Sequence, residues 1–317
     1  MTDTVLAIRA EGLVKDYGGK RALDSFDLEV TGGSVCGLLG PNGAGKTTAV
    51  RILASLLRAD GGRAWIDGVD VAADPLAVRR RIGWSGQTPA VDEILSGRQN
   101  LVLFGRLNRL SVHAARARAD ELLRQMDLVD AADRSVKHYS GGMRRRLDLA
   151  ATLILAPSVL FLDEPTTGLD PRSRNEVWSS IRALVAGGTT VLLTTQYLDE
   201  ADQLADHVVV IDSGRTIAEG RPDALKAEVG GDRLDVVVGA GEDLALATCV
   251  VAGVVGGEPE VDRDARRLST PVSDRVAALT DVLQALARDG IEVVDIGIRR
   301  PTLDDVFLGL TGHRAVA

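Results

Sequence analysis

The chain has 317 residues, 45% of them hydrophobic and only 3% aromatic, which predicts two domains with cores built mainly from aliphatic side chains. Its formal net charge of −8 argues against a nucleic-acid partner, because binding to duplexes depends on basic residues. The two cysteines indicate neither a disulfide scaffold nor a zinc site, and the N-terminus has no signal-peptide stretch, which predicts a protein that stays inside the cell. The longest charge-free apolar run, residues 244–257, is too short for a membrane span.

The first part of the chain carries a series of predicted strands. Alternating apolar residues predict antiparallel strands in residues 5–8 and 26–30, and a continuous apolar run predicts a short buried strand at 34–39. Apolar residues at helical spacing then predict a helix over residues 48–58. Further strands are predicted at residues 63–66 and 82–84.

A glycine-rich segment separates the buried strand from that helix. It fits the pattern G-x-x-x-x-G-K-[ST], whose glycines let successive backbone N–H groups point at phosphate oxygens. Lys46 is expected to reach the β- and γ-phosphates, and Thr47 is expected to hold Mg²⁺ through its hydroxyl. The segment therefore predicts that a nucleoside triphosphate is bound by these residues: Gly40, Pro41, Asn42, Gly43, Ala44, Gly45, Lys46, Thr47 and Thr48.

Helical patterns dominate residues 97–156, and Ser111 is expected to cap the N-terminus of a helix over 113–126. Another helix follows the sequence YSGGM, which contains Ser140, Gly141 and Gly142. A serine and two glycines at a helix N-terminus form a second anion site, because bare N–H groups and the helix dipole both favour a negative charge. An ordinary serine N-cap is the alternative interpretation.

Two carboxylates follow the apolar run 159–162, which predicts a strand buried on both faces of a parallel sheet. Asp163 and Glu164 thus stand at the carboxyl end of a strand, where ligands bind in open α/β sheets. Asp163 is expected to bind Mg²⁺, and Glu164 to accept a proton from the attacking water or to orient it. Solvated charges at a strand end are the alternative. Residues 190–195 and 208–211 predict two more buried strands.

The pattern changes beyond Pro222, which predicts a first domain over residues 1–222, with a helical insertion at about 88–156, and a second domain over 223–317. In the second domain, strands and helices follow the order β-α-β-β-α-β, which indicates a small ferredoxin-like α+β fold. The predicted strands are 234–238, 260–262, 267–270 and 291–298, and the predicted helices are 243–255 and 275–288.

In their order over residues 5–220, these motifs resemble the ATP-binding subunits of ABC transporters. The resemblance implies an α/β P-loop ABC ATPase domain with a mixed sheet, an antiparallel β subdomain and a helical insertion, followed by the small C-terminal domain. Segments 139–146, 194–202 and 300–308 are similar to one branch, the ATPase subunits of daunorubicin-resistance-type drug exporters. That branch implies ATP hydrolysis that powers the efflux of a drug or another hydrophobic compound.

The resemblance also implies roles for single residues. Tyr17 resembles the aromatic residue that stacks on adenine, and Gln87 resembles the glutamine that touches Mg²⁺ or water and senses the membrane partner. Asp170 matches the loop that bridges the two active sites of a dimer. In this family the motif around Ser140 caps the γ-phosphate bound by the opposite subunit, so that two chains enclose two ATP molecules.

The same branch implies a separate six-span membrane permease, which holds a homodimer of ATPase subunits at the cytoplasmic face of the cell membrane. We expect the permease to contact residues 87–110, where apolar residues outnumber those that one helix face needs. They are Leu101, Leu103, Phe104 and Leu107, about half of which are expected to lie in the core.

Two residues depart from the family pattern. Met143 stands where glutamine is usual, and Gln196 stands where most members have a histidine that faces the γ-phosphate. Glutamine donates a hydrogen bond but cannot carry a proton, so we expect slower hydrolysis that is almost independent of pH between about 6 and 7.

Two other functions stay open at this stage. A soluble, non-transport ABC-type ATPase that acts on ribosomes or DNA is the main alternative, although such proteins tend to carry two ATPase cassettes, zinc cysteines or long coiled coils. A P-loop kinase or GTPase is the other, and it leaves the motif around Ser140 and the residue Asp170 unexplained.

Overall fold

The computed structural model describes residues 5–86, 88–229, 232–239, 243–299 and 302–311. Gln87, and Arg300 and Pro301 of the segment that resembles the exporter branch, lie outside the described residues. The chain divides into two compact units whose boundary in sequence falls between Pro222 and Asp223. Every helix of the described residues is either too short or too polar for a membrane span.

The strands of the first unit form a four-stranded and a six-stranded sheet. In chain order they are β1 (Leu6–Tyr17), β2 (Lys20–Thr31), β3 (Val35–Leu39), β4 (Gly61–Ile66), β5 (Val69–Asp70), β6 (Ile82–Ser85), β7 (Val159–Asp163), β8 (Thr190–Thr195), β9 (His207–Asp212) and β10 (Arg215–Gly220). The smaller sheet is antiparallel, with the order β2-β1-β4-β5. The larger one has the order β10-β9-β3-β8-β7-β6 and is parallel except for β10, so the predicted mixed sheet and antiparallel subdomain are confirmed.

Seven α-helices of the first unit are described, besides two short 3-10 helices. They are α1 (Lys46–Leu53), α2 (Pro75–Arg79), α3 (Gly97–Leu107), α4 (Val112–Gln125), α5 (Gly141–Thr152), α6 (Pro171–Ala186) and α7 (Leu198–Leu204). Helices α3, α4 and α5 lie between β6 and β7 in sequence, where helical patterns were predicted. The predicted cap is confirmed as well, because the Ser111 hydroxyl accepts a hydrogen bond of 3.1 Å from the backbone N–H of Ala114.

The six-stranded sheet separates two cores. Leu160 and Leu162 of β7 join a core that includes side chains of α4, α5 and α6. Val159 and Phe161, which point to the other face, join a core with α1 and the four-stranded sheet. Because both faces are covered, β3, β7 and β8 contain only buried residues, as their continuous apolar runs predict.

The prediction of a helix over residues 48–58 is wrong at the C-terminal end, because α1 ends at Leu53. Ser55 adopts a left-handed φ of 57°, and its N–H donates to the Ile52 carbonyl over 2.9 Å. The N–H of Leu56 donates to the Arg51 carbonyl over 2.8 Å, which completes a Schellman motif that ends the helix. Leu56 and Leu57 therefore continue an apolar pattern without continuing the helix.

The second unit forms the ferredoxin-like arrangement predicted from the sequence. It begins within α8 (Pro222–Val229) and continues with β11 (Arg233–Val238), α9 (Asp243–Val255), β12 (Glu260–Asp262), β13 (Arg267–Pro271), α10 (Arg275–Arg288), β14 (Val293–Arg299) and α11 (Leu303–Thr311). Its antiparallel sheet has the order β12-β13-β11-β14. Leu234 and Val236 of β11 share a core with Val251 of α9 and Leu286 of α10, so both helices cover one face of this sheet.

Candidate functional site

The glycine-rich loop, residues 40–45, joins the end of β3 to the start of α1. A Cβ atom on Gly40 would lie 2.2 Å from the Ile211 carbonyl oxygen, and one on Gly45 would lie 2.5 Å from the Ala22 carbonyl oxygen. Gly43 and Gly45 also have positive φ values, of 84° and 114°. Glycine has no Cβ atom that would clash, and it adopts a positive φ without strain. These glycines therefore let the loop backbone lie close to its neighbours.

Lys46 lies over this loop and is 7% exposed. Its Nζ donates to the carbonyl oxygens of Gly40 over 2.6 Å and of Pro41 over 3.1 Å. Burial lowers the pKa of Lys46, whereas the nearby carboxylates of Glu164 and Asp163 raise it. In the part of the chain that the structure describes, no side chain caps the N-terminus of α1, so its first backbone N–H groups are open to an anion.

The ends of three neighbouring parallel strands bring the predicted site residues together. In the register, Leu39 of β3 lies beside Thr195 of β8, and Asp163 of β7 lies beside Thr194. The glycine-rich loop, Asp163 and the Gln196 that follows β8 therefore share one edge of the sheet. Asp163 is 6% exposed, and its Oδ1 accepts a hydrogen bond of 2.5 Å from the Thr194 hydroxyl.

Glu164 occupies an unusual turn directly after β7. Its φ is 50°, in the left-handed region that side chains other than glycine seldom adopt. Its N–H donates to the Thr194 carbonyl over 3.0 Å, and its Oε2 accepts a hydrogen bond of 3.3 Å from the Thr167 hydroxyl. The carboxylate is partly exposed beside buried Asp163, so one of the two acids is accessible to water.

Tyr17 lies at the end of β1, beside the hairpin that leads into β2. The residue is 46% exposed, and the Lys15 ammonium lies 5.7 Å from its ring centroid. The same β2 strand passes the glycine-rich loop at Ala22, whose carbonyl oxygen is the atom that restricts Gly45 to glycine. The structure thus places an exposed aromatic ring on the hairpin next to the loop.

The serine-glycine motif begins α5, and Ser140 is its N-cap. The Ser140 hydroxyl accepts a hydrogen bond of 3.2 Å from the Met143 N–H. A Cβ atom on Gly142 would lie 2.7 Å from Ser173 in α6, so this glycine allows the two helices to touch. Asp170 caps α6 and accepts bonds of 3.0 Å and 2.7 Å from the N–H and hydroxyl of Ser173, which lower its pKa.

Ser140 is exposed and belongs to a different part of the molecule from the glycine-rich loop. Within the described chain, no hydrogen bond joins residues 140–142 to residues 40–48. The structure brings the Ser140 motif next to Asp170 instead, through the contact between Gly142 and Ser173. Each chain therefore has two separate helix N-termini, a kind of site that favours a negative charge.

Four buried polar residues at this site were not predicted. Thr194 binds Asp163, and Glu200 of α7 is completely buried. Glu200 Oε1 accepts bonds of 2.7 Å from the Thr166 hydroxyl and 3.1 Å from Trp178 Nε1, and its burial raises the pKa. The other two are Arg145 and Asp148 of α5, which are 6% and 3% exposed. In the sequence, Arg145 is the middle one of three consecutive arginines and Asp148 follows shortly after them, a pattern that suggests a solvated helix face.

Comparisons with known proteins assign the family. The family model described as ABC transporter matches residues 23–167, and the one described as ATP-binding protein DrrA1-3-like, C-terminal domain, matches residues 220–311. The daunorubicin resistance ATP-binding protein DrrA2 of Streptomyces coeruleorubidus is 65% identical over 308 residues, which cover 97% of this chain and 96% of that protein. The chain belongs to the ABC transporter ATP-binding proteins of the daunorubicin-resistance type.

Other members of the ABC family share the layout at lower identity. The Nod factor export ATP-binding protein I of Mesorhizobium japonicum is 36% identical, over 98% of this chain and 88% of that protein. Among solved structures, cbiO1 from Clostridium perfringens, part of the ABC transporter complex cbiONQ, has a TM-score of 0.66 and 29% identity, over 70% of this chain and 91% of that chain. The predicted ABC ATPase fold is confirmed, and the nucleotide of this ABC protein is ATP.

Proposed function

We propose that this ABC protein hydrolyses ATP to drive the export of a drug or another hydrophobic compound through a separate membrane subunit. The observation that carries the proposal is the meeting of Lys46, Asp163 and Glu164 at one sheet edge, in a chain 65% identical to a daunorubicin resistance protein. Relatives named for resistance and for export support a transport role over a soluble ATPase that acts on ribosomes or DNA. We assign this work to residues 1–222 and regard residues 223–317 as an accessory domain.

The glycine-rich loop is the proposed triphosphate site. Phosphate oxygens would accept hydrogen bonds from the backbone N–H groups of the loop and of α1, which no side chain caps. They would also compete with the carbonyls of Gly40 and Pro41 for the Lys46 ammonium. Tyr17, exposed on the neighbouring hairpin, would stack on the adenine.

A magnesium ion fits the oxygen donors at this edge. Mg²⁺ prefers oxygen ligands, and the Thr47 hydroxyl and the Asp163 carboxylate supply them. The carboxylate is already fixed by the Thr194 hydroxyl, as a metal-binding acid often is. Gln87, the third proposed ligand, lies outside the described residues. When bound, the ion neutralises part of the charge that develops on the phosphates.

Glu164 is the proposed base for hydrolysis to ADP and phosphate. Glu164 is more accessible than Asp163, and its side-chain hydrogen bond from Thr167, the one found within the described residues, leaves oxygen lone pairs for a water molecule. Gln196 lies at the end of the neighbouring strand β8, where its amide N–H would donate to the γ-phosphate. The chain therefore supplies a proton acceptor and a neutral hydrogen-bond donor.

Two copies of the chain are proposed to enclose two ATP molecules. The exposed N-terminus of α5 and the glycine-rich loop are separate anion sites in one chain, so a single γ-phosphate would engage both only across two copies. Asp170, which contacts the Ser140 helix through Ser173, would then lie between the two active sites. ATP favours the closed dimer because it binds that state more tightly than the open one.

The proposed permease surface lies within residues 87–110. Leu107 and Leu103 of α3 are 69% and 41% exposed, as is expected of apolar residues that contact another protein. Leu101 is completely buried and Phe104 packs against the core, so the expectation that part of this set is core holds for these two. We propose a six-span permease as the partner, with the ATPase at the cytoplasmic face of the membrane.

The test is transport in vesicles that contain the chain and the membrane protein encoded by a neighbouring reading frame. We expect ATP-dependent drug accumulation and drug-stimulated ATP hydrolysis. The variant Glu164→Gln should lower turnover by about 10²-fold to 10⁴-fold while leaving ATP binding intact. Glu121→Gln, which changes an exposed carboxylate of α4, is the matched control. Stimulation by ribosomes or DNA instead of the membrane protein would favour the alternative function.

A further inference from the structure

Arg145 connects the Ser140 helix to the turn that contains Glu164. Its guanidinium is buried and donates to backbone carbonyl oxygens on both sides of Glu164: Nε to Pro165 over 2.7 Å and Nη2 to Asp163 over 3.3 Å. Nη1 donates to a third carbonyl, that of Gly86, over 2.7 Å. One side chain of α5 thus holds two separate segments of the active site.

The bonds to Asp163 and Pro165 matter because Glu164 has a φ of 50°. A left-handed backbone at a residue other than glycine persists only where its surroundings hold it in place. The flat guanidinium offers five N–H donors in a fixed fork, so it can bind both flanking carbonyls at once. An ammonium at the same position is a point charge on a flexible stem and cannot reproduce this geometry.

Asp148, one turn later in α5, extends the connection to the segment that contains Gln87. Its carboxylate lies 3.5 Å from the Arg145 guanidinium and accepts bonds from the Ser85 hydroxyl over 2.6 Å and the Ala90 N–H over 2.7 Å. Arg145 binds the Gly86 carbonyl between these two points. Both residues are buried, so removing either one leaves the other charge without its partner.

We propose that Arg145 is a positioning residue for ATP hydrolysis, which fixes the turn of Glu164 and ties it to the segment around Gln87. The inference rests on the proposed role of Glu164 as the base. Through this side chain, a displacement of Gly86 relative to α5 is transmitted to the carbonyls that flank the base. Binding of nucleotide needs no such alignment, so ATP affinity does not depend on Arg145.

The test compares Arg145→Lys with Arg146→Lys. Arg146 is 8% exposed, donates to the Met126 carbonyl over 2.9 Å and pairs with Glu176, so it is equally buried but holds a different region. We expect Arg145→Lys to lower kcat by about 10-fold to 10²-fold with little change in the KM for ATP, because misplacing a reacting group affects the chemical step. Both variants should lose a similar amount of thermal stability.

A double variant separates positioning from general damage. In the Glu164→Gln background, Arg145→Lys should cause no further loss of kcat, because the two residues act as one unit. Equal losses in both backgrounds, or an unchanged kcat for Arg145→Lys alone, would overturn the proposal. If Arg145→Lys fails to fold, Asp148→Asn replaces it, with the same expected fall in kcat.

Amide hydrogen exchange provides a readout that does not depend on activity. Arg145→Lys should speed the exchange of a peptide over residues 163–167, whereas Arg146→Lys should not. A parental chain without ATPase activity would contradict the proposed function, and the exchange measurement would still decide the role of Arg145. Unchanged exchange in Arg145→Lys would refute that role even if the parental chain hydrolyses ATP.

Discussion

At the scale of single residues, the site combines strain with rigid support. Glu164 holds a left-handed backbone that costs about 1–3 kcal/mol for a residue of its type. A glycine would remove that cost but also the carboxylate, which is the group that the proposed mechanism uses as the base. The Thr194 carbonyl and the Arg145 guanidinium supply the hydrogen bonds that keep the turn in place.

Gln196 provides a prediction about pH. The parental ATPase rate should be nearly constant between about pH 6 and 7, because a glutamine amide does not titrate there. Gln196→His should raise the rate at least about tenfold and introduce a dependence on pH near about 6.5, the usual pKa of histidine. Measuring phosphate release across this pH range tests whether Gln196 takes part in hydrolysis. The control is Gln125→His, which lies far from β8 in sequence. An unchanged rate would remove Gln196 from the mechanism.

The sequence predicts some site residues well and others not at all, for a physical reason. Lys46 and Asp163 belong to motifs whose spacing is tied to phosphate and metal chemistry, so their meeting at one sheet edge could be expected. Arg145 and Glu200 bind groups from distant segments, and among the described residues the partners of Arg145 are backbone carbonyls and one aspartate. A bond to a backbone carbonyl requires no particular residue type at the partner position. In the sequence, a buried residue such as Arg145 therefore cannot be told from a charged surface residue.

At the scale of elements, burial decided which predictions succeeded. Strands covered on both faces have continuous apolar runs, and β3, β7 and β8 were found close to their predicted bounds. β1 extends to Tyr17, far beyond residues 5–8, because Gly12 with a φ of 56° and several register shifts interrupt its alternation without ending it. The extent of β1 and the end of α1 thus depend on the backbone conformations of Gly12 and Ser55, which hydrophobic patterns do not reveal.

The contact between α5 and α6 gives a prediction for Gly142. A Cβ atom there would lie 2.7 Å from Ser173, so Gly142→Ala should destabilise the chain by about 1–3 kcal/mol and displace Ser140 relative to Asp170. Gly253→Ala in α9 is the matched control. No atom of the described residues lies within 4 Å of a Cβ atom on Gly253, so this change should stabilise the helix by roughly 0.5–1 kcal/mol. Denaturant unfolding measures both, and equal effects would contradict the packing argument.

At the scale of the whole molecule, the proposed mechanism needs a second chain, which would bring the two proposed anion sites to one ATP molecule. The glycine-rich loop and the N-terminus of α5 each favour a negative charge, and within the described residues no hydrogen bond links them. A γ-phosphate bound by both sites of two chains would hold the dimer closed, and its loss on hydrolysis would release the dimer. In the proposed mechanism, ATP therefore acts as a reversible bridge between the two chains.

This bridge predicts a nucleotide-dependent dimer. Because Glu164→Gln should bind ATP without hydrolysing it, the bound nucleotide keeps its γ-phosphate. In size-exclusion chromatography with light scattering, this variant should therefore elute as a dimer with Mg·ATP and as a monomer with ADP. Adding Ser140→Arg should abolish the dimer and leave ATP binding to the loop intact, because the bulky cation occupies the second anion site rather than the first. If Glu164→Gln stays monomeric at saturating ATP, or if Ser140→Arg still dimerises, the γ-phosphate does not join the two chains through α5.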